Sequence, residues 1–144
     1  MSEDKNAIGV IEYEVSLLVR RSISISNSEK RIGNLERSAY LLLRQLDESG
    51  PVGVKALADE FRLDISTVSR QTAGLEAKGL VKRIPDPVDG RASSFVLTEE
   101  GKRQLEETKQ ARVERYDLWL KDWTEEERKL FGELLTRANR TFLD

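Results

Sequence analysis

Two short helical patterns joined by only three residues limit the folds open to this chain. The segment VKALADEF, residues 54–61, repeats its apolar groups at helical spacing. After residues 62–64, a second helix is expected from Ile65 to Gly79. Asp64 can accept hydrogen bonds from the first amides of that helix, and glycine commonly ends helices. Two helices joined by so short a turn have helix-turn-helix geometry.

The second helix has a narrow apolar face and a broad polar one. Val68, Thr72 and Leu75 recur at helical spacing and should face inward, with the Thr72 hydroxyl bonded to a carbonyl one turn back. Gly74 costs about 1 kcal/mol relative to alanine inside a helix, although it can permit close packing. The outward groups suit base edges and phosphates, but also an ordinary solvated face. They are Ser66, Thr67, Ser69, Arg70 and Gln71.

A β-hairpin is expected next. Apolar residues between Leu80 and Ile84 predict one strand, residues 94–97 predict a returning strand, and the prolines, aspartates and glycine between them favour a turn. The tip carries Arg91 two residues after Asp89, a spacing at which the carboxylate can orient the guanidinium. An arginine at such a tip fits a narrow minor groove, while the alternative is a local surface ion pair worth little.

Helical patterns lie before and after the helix-turn-helix and the hairpin, and they bring the number of expected helices to six. One is expected over residues 6–26, followed by a connection at 27–33 and a helix over 34–48. After the hairpin, Thr98 should cap a helix over 99–121, and the capping box that begins at Thr124 should open a last helix that runs to about residue 141.

The two ends of the chain carry more apolar surface than terminal helices need. Ile8, Ile11, Val15 and Leu18 form a stripe at the spacing used in helix pairing, and the last helix has a stripe of leucines and phenylalanines. The first stripe either covers the core or pairs with a second subunit. The last helix packs either on the first helix of its own chain or on a second chain.

Composition excludes several kinds of chemistry. The chain has no cysteine and no histidine, so disulfides, thiol nucleophiles, a histidine pH switch and cysteine or histidine metal sites are absent, and no metal or cofactor is expected. Its acidic residues lie in solvated helical runs, so an enzyme is poorly supported. Residues 62–103 carry a net charge of +2 against −4 for the rest, which is compatible with nucleic-acid binding.

The combined motifs resemble the MarR family of winged helix-turn-helix regulators. The family's L-E-x-x-G-L-[VI] signature corresponds to residues 75–81, its D-x-R motif to residues 89–91, and its L-T-x-x-G motif to residues 97–101. The resemblance implies a mainly α fold with a small β-hairpin wing and with dimerisation helices at both termini. It divides the single domain into an N-terminal dimerisation helix at 1–33, a DNA-binding region at 34–100 and C-terminal dimerisation helices at 101–144.

The resemblance also implies a function. It predicts a homodimer that regulates transcription, acting as a repressor of pseudo-palindromic operators. The recognition helix would enter the major groove of double-stranded DNA with the five polar residues named above, and Arg91, held by Asp89, would enter the minor groove. The alternative that the residues leave open is a winged-helix module for protein–protein contact without DNA binding.

Many members of the family release DNA when a small aromatic ligand binds. Tyr13, Tyr40 and Arg44 can line a cleft for a phenolic carboxylate, although both tyrosines are equally good core or interface residues. The cysteine-based oxidation switch of some relatives is impossible here. No apolar run approaches the roughly 20 residues of a membrane span, and the polar start MSEDKN is no signal peptide, so a cytoplasmic protein without membrane contact is expected.

Overall fold

The computed structural model describes the backbone of residues 3–28, 31–32 and 35–141, and the side chains of residues 6–21 and 35–141. In these ranges the chain forms six helices and two short antiparallel hairpins. The helices are α1 Glu3–Ser28, α2 Arg37–Ser49, α3 Val54–Phe61, α4 Ile65–Ala77, α5 Glu99–Trp119 and α6 Glu125–Thr141. The strands are β1 Arg31–Ile32, β2 Leu35–Glu36, β3 Val81–Pro85 and β4 Ser93–Leu97.

The six predicted helices and the wing hairpin β3–β4 are confirmed, with two differences near the start. The pair β1–β2 was not expected, and it occupies part of the predicted connection and of the predicted second helix, so α2 begins at Arg37. Burial explains the later start, because Leu35 enters the core from a strand. The predicted boundary at residues 33 and 34 lies outside the described residues.

The chain forms two compact units, Met1–Thr108 and Lys109–Asp144. The hydrophobic core lies in the first unit, where α2, α3, α4 and the wing strands turn their apolar residues toward one another. The predicted inward face of α4, formed by Val68, Thr72 and Leu75, is confirmed. The side chains that are almost completely inaccessible to solvent include Leu43, Leu57, Val68, Leu80 and Phe95.

The wing is anchored to this core through its returning strand. Val81 pairs with Leu97 at the base and Pro85 with Ser93 near the tip. On the other side of β4, Phe95 exchanges two backbone hydrogen bonds with Val52, at 2.8 and 3.3 Å. The wing is therefore continuous with the segment between α2 and α3.

The predicted helix caps are right in two cases and wrong in one. The Thr98 hydroxyl accepts a hydrogen bond from the Gly101 amide at 3.0 Å, and Thr124 and Glu127 form the reciprocal capping box at 3.1 and 2.8 Å. Asp64 has the extended backbone of an N-cap, but its side chain caps no amide. It lies in solvent, where water can satisfy the first amides of α4.

The terminal helices keep their apolar groups on the surface. Between Asn6 and Arg21, every side chain of α1 except the half-buried Leu17 is exposed, so the stripe of Ile8, Ile11, Val15 and Leu18 covers no core. Within the second unit, Trp123 packs against Phe131 with ring centres 5.1 Å apart. No described residue of α6 is buried, and Leu130, Leu134 and Leu135 remain exposed.

Two glycines in helices are used in opposite ways. A Cβ placed on Gly101 would collide with the carbonyl oxygen of Leu80 and lie 3.0 Å from its carbonyl carbon, so only glycine allows α5 to approach the backbone there. A Cβ on Gly74 would meet no atom within 4 Å. Close packing is therefore not the reason for Gly74 within this chain.

We predict that Gly101→Ala lowers the free energy of unfolding by more than about 2 kcal/mol, because the backbone of α5 or of Leu80 must move. Gly74→Ala is the matched control, an identical exchange in a helix with open space, and should raise stability by about 1 kcal/mol. Chemical denaturation followed by circular dichroism measures both. Equal effects of the two substitutions would contradict the packing described for Gly101.

Candidate nucleic-acid interface

The residues that α4 exposes to solvent are only in part the ones that the sequence predicted. Val68, Thr72 and Leu75 are buried as predicted, and the Thr72 hydroxyl donates to the Val68 carbonyl at 2.9 Å, as expected. Of the five predicted contact residues, Ser66, Ser69 and Arg70 are exposed, while Thr67 and Gln71 are half-buried at the flanks. Four residues of α4 that were not among the predicted contacts are also exposed, and they are Ile65, Ala73, Gly74 and Ala77.

The turn between α3 and α4 fixes where this face begins. Arg62 ends α3 in the left-handed conformation, with a φ of 53°, and the Leu63 amide donates to the Ala58 carbonyl at 3.0 Å. The next helical hydrogen bond runs from the Val68 amide to the Asp64 carbonyl at 3.1 Å. The first turn of α4 thus projects from the buried pair of helices into solvent.

The end of α4 is connected directly to the wing. Gly79 has a φ of 76°, a left-handed conformation that favours glycine, and its carbonyl accepts the Thr98 hydroxyl at 2.6 Å. Arg83 of β3 pairs with Glu76 of α4 at 3.4 Å and lies 5.0 Å from the centre of the Phe95 ring. Sequence reasoning missed Arg83. It can position the wing relative to α4, although an exposed ion pair contributes little stability.

A single carboxylate organises the loop at the wing tip. Asp86 accepts hydrogen bonds from the backbone amides of Val88 and Asp89, both at 2.8 Å, and from the Ser94 hydroxyl at 2.7 Å. These hydrogen bonds lower the pKa of Asp86, with the Asp89 amide as the largest cause, then Ser94 and then Val88. The signal for this role is an aspartate at the start of a turn, which sequence reasoning used only to predict a turn.

Asp89 and Arg91 at the wing tip do not make the side-chain contact that the sequence predicted. The Asp89 carboxylate accepts a hydrogen bond from the backbone amide of Arg91 at 3.1 Å, and it forms no ion pair with the guanidinium. Asp89 therefore shapes the backbone that presents Arg91, whose side chain is exposed.

The three candidate ligand residues are only partly brought together. The Arg44 guanidinium donates to the Tyr40 hydroxyl at 3.3 Å and lies 5.8 Å from the centre of its ring, and it also pairs with Glu48 at 3.6 Å. Tyr40 is buried, whereas Tyr13 is exposed on α1. The described residues contain no cluster of three or more acidic side chains that could hold a metal ion. No helix in the described ranges is long and apolar enough to span a membrane.

These features define a class of protein. A helix-turn-helix whose second helix projects its first turn, followed by a hairpin with an exposed arginine at its tip, is a winged helix-turn-helix DNA-binding fold. The family model described as MarR family matches residues 35–93. A relative from Bacillus subtilis (strain 168), the uncharacterized HTH-type transcriptional regulator YxaD, is 54% identical over 142 residues and 99% of both chains. The chain belongs to the MarR family of DNA-binding transcriptional regulators, and it is not an enzyme.

Solved structures share the fold. The transcriptional regulator BldR from Sulfolobus solfataricus aligns with a TM-score of 0.74 and 23% identity, over 97% of this chain and 99% of that one. The PcaV transcriptional regulator from Streptomyces coelicolor, solved in complex with its natural ligand, aligns with a TM-score of 0.68 and 22% identity, over 90% and 92% of the two chains. At these identities the likeness establishes the fold alone.

We predict that Asp86→Asn speeds hydrogen exchange at the Val88 and Asp89 amides, because an amide side chain accepts more weakly than a carboxylate. Since the pKa of Asp86 is lowered in the fold, its contribution is complete above the usual aspartate value of 3.8 and is lost as pH falls through the lower folded value.

Amide spectra should therefore show the wing loop unchanged from pH 7 to about pH 4.5 and altered only in stronger acid. Ser94→Ala, which removes one of the three hydrogen bonds, should give an intermediate effect on exchange. A loop that changes between pH 7 and 5 would contradict this role for Asp86.

Proposed function

We propose that this regulator is a homodimeric repressor that binds pseudo-palindromic operators. The observation that supports this best is that the first turn of α4 and the wing residue Arg91 are both exposed to solvent. Contacts made by Thr98 and Arg83 hold the end of α4 and the wing together. The proposed major-groove contacts are Ser66, Thr67, Ser69, Arg70 and Gln71, and the wing contact is Arg91, presented by Asp89. Two symmetry-related recognition helices would place half-sites about one helical turn, or about 10 bp, apart.

Arg91→Ala should weaken operator binding by about 1 to 3 kcal/mol and reduce the salt dependence by about one counterion per chain, because one guanidinium leaves the groove. Fluorescence anisotropy with the DNA upstream of the regulator's own gene, over a salt series, measures both quantities. Lys109→Ala is the matched control, since it removes one exposed positive charge outside α4 and the wing.

An affinity and a salt slope unchanged by Arg91→Ala would contradict the role of the wing. If neither the natural chain nor the variant bound this or unrelated duplex DNA, the protein–protein module would be the better account. In a reporter strain, deletion of the gene should raise transcription from the operator if the regulator represses.

We also propose the division of the chain that the family resemblance implies. Residues 1–33 and 101–144 would form the dimer, and residues 34–100 would bind DNA. The support is the distribution of apolar surface. The described part of α1 and α6 leave most of their large apolar side chains in solvent, whereas α2, α3 and α4 bury most of theirs, with Leu41 and Ile65 as the exposed exceptions. Several large apolar side chains exposed on one helix are typical of an interface with another molecule.

Leu134→Glu should shift the protein from dimer to monomer at micromolar concentration, because it puts a charge into the proposed apolar interface. Multi-angle light scattering after gel filtration measures the mass. Lys129→Glu is the control, since helical geometry places residue 129 opposite the centre of the apolar stripe of α6, which is formed by Leu130, Phe131, Leu134 and Leu135. A natural chain that elutes as a monomer would overturn the dimer.

A small aromatic acid is the proposed effector. Arg44 and the buried Tyr40 of α2 form an aromatic and cationic pair that suits a phenolic carboxylate. Tyr13 of α1, one of the proposed dimer helices, would join them. Binding would require the carboxylate to compete with Glu48 and the Tyr40 hydroxyl for the guanidinium.

Salicylate at millimolar concentration should release the operator from the natural chain and leave Arg44→Ala bound, because the variant lacks the cation. Salicylamide, which has no carboxylate, should release neither. Anisotropy of the preformed complex measures the release. If the natural chain stayed bound to the operator throughout the salicylate titration, the proposal of a small aromatic acid as effector would be contradicted.

A further inference from the structure

The first residue of the recognition helix is a large aliphatic side chain that the fold does not bury. Ile65 is 55% exposed, and it stands beside Ser66 and one turn before Ser69, both exposed. Large apolar groups at the tip of a DNA-binding helix are unfavourable in water unless a partner covers them. What sets Ile65 apart is its place on the exposed polar face of α4 that would meet DNA.

The neighbouring apolar residue Leu63 is also exposed, at 43%, but it differs from Ile65 in its position at the helix start. Leu63 directly precedes the N-cap residue Asp64, and Val68 lies at the fourth helical position. Apolar residues at these two places form the usual hydrophobic staple at a helix start. Ile65 occupies the first helical position, which takes no part in that staple. The other exposed residues of the outer face are short except for Arg70, so the helix can approach a groove closely.

We propose that Ile65 recognises a thymine in each operator half-site through the 5-methyl group of that base. This inference rests on the proposed binding of operator DNA through α4. The thymine methyl is the apolar group that unmodified base pairs present in the major groove, and residues at the start of a recognition helix are the ones that reach base edges. Arg70, five residues further along the helix, supplies a bidentate donor that suits guanine.

The test begins with the operator itself. Selection from a random duplex pool with the purified protein gives the preferred half-site. Each thymine is then replaced in turn by deoxyuridine, which removes only the methyl group and keeps base pairing and hydrogen bonding. Affinity is measured by anisotropy for the natural chain and for Ile65→Ala, with Ile65→Val as the smaller change.

We expect one thymine in each half-site whose replacement weakens binding of the natural chain about fourfold, and about fifteenfold when both half-sites are changed, as the loss of one buried methyl predicts. Ile65→Ala should bind the thymine and deoxyuridine operators equally, and Ile65→Val should lie between. Because Ile65 is exposed, thermal unfolding of both variants should match the natural chain.

Two results would overturn the inference in distinguishable ways. If the pool yields no preferred sequence, the proposed operator binding fails and the inference fails with it. If an operator is found and no thymine in the half-site is sensitive to deoxyuridine, or if Ile65→Ala keeps the full sensitivity, operator binding stands and the role of Ile65 is refuted.

Discussion

The close approach of α5 to the backbone at Gly79 and Leu80 is the contact on which the rest of the interface depends. Gly101 leaves room for it, and Thr98 secures it by donating to the Gly79 carbonyl while capping α5. Because Gly79 ends the recognition helix and Leu80 leads into the wing, one junction sets where both elements point. The L-T-x-x-G motif is thus a packing requirement, and its link to DNA binding is indirect.

Sequence reasoning predicted the elements of the fold well because each had a local signal. Helical periodicity, a three-residue turn, turn-forming residues at the wing tip and a capping box all act over a few residues, and the structure confirms them. One error came from packing over a longer distance, and the other from a side chain that stays in solvent. Leu35 enters the core from a strand, so α2 starts later than periodicity indicated, and Asp64 was assigned a cap that its exposed side chain does not make.

The sequence predicted which residues belong to the candidate interface better than it predicted how far each of them is exposed to solvent. Ser66, Ser69, Arg70 and Arg91 are exposed as expected, but Thr67 and Gln71 are half-buried because the inward stripe of α4 is wider than three residues. Asp86 and Arg83 organise the wing through partners eight and seven residues away, Ser94 and Glu76, which no short motif shows. An aliphatic residue such as Ile65 looks like core in a sequence, so only its exposure in the fold reveals it.

The absence of cysteine from the sequence allows the most direct test that the wing and recognition helix together form the DNA-binding surface. An iron chelate attached to Val88→Cys, at the almost fully exposed tip of the wing, cleaves DNA only where the wing lies. We expect two symmetric clusters of cleavage, one in the minor groove beside each half-site. The same chelate on Glu106→Cys serves as the control. If the chelate at position 88 gave no cleavage, or no more than the chelate at position 106, the wing would not be part of the DNA-binding surface.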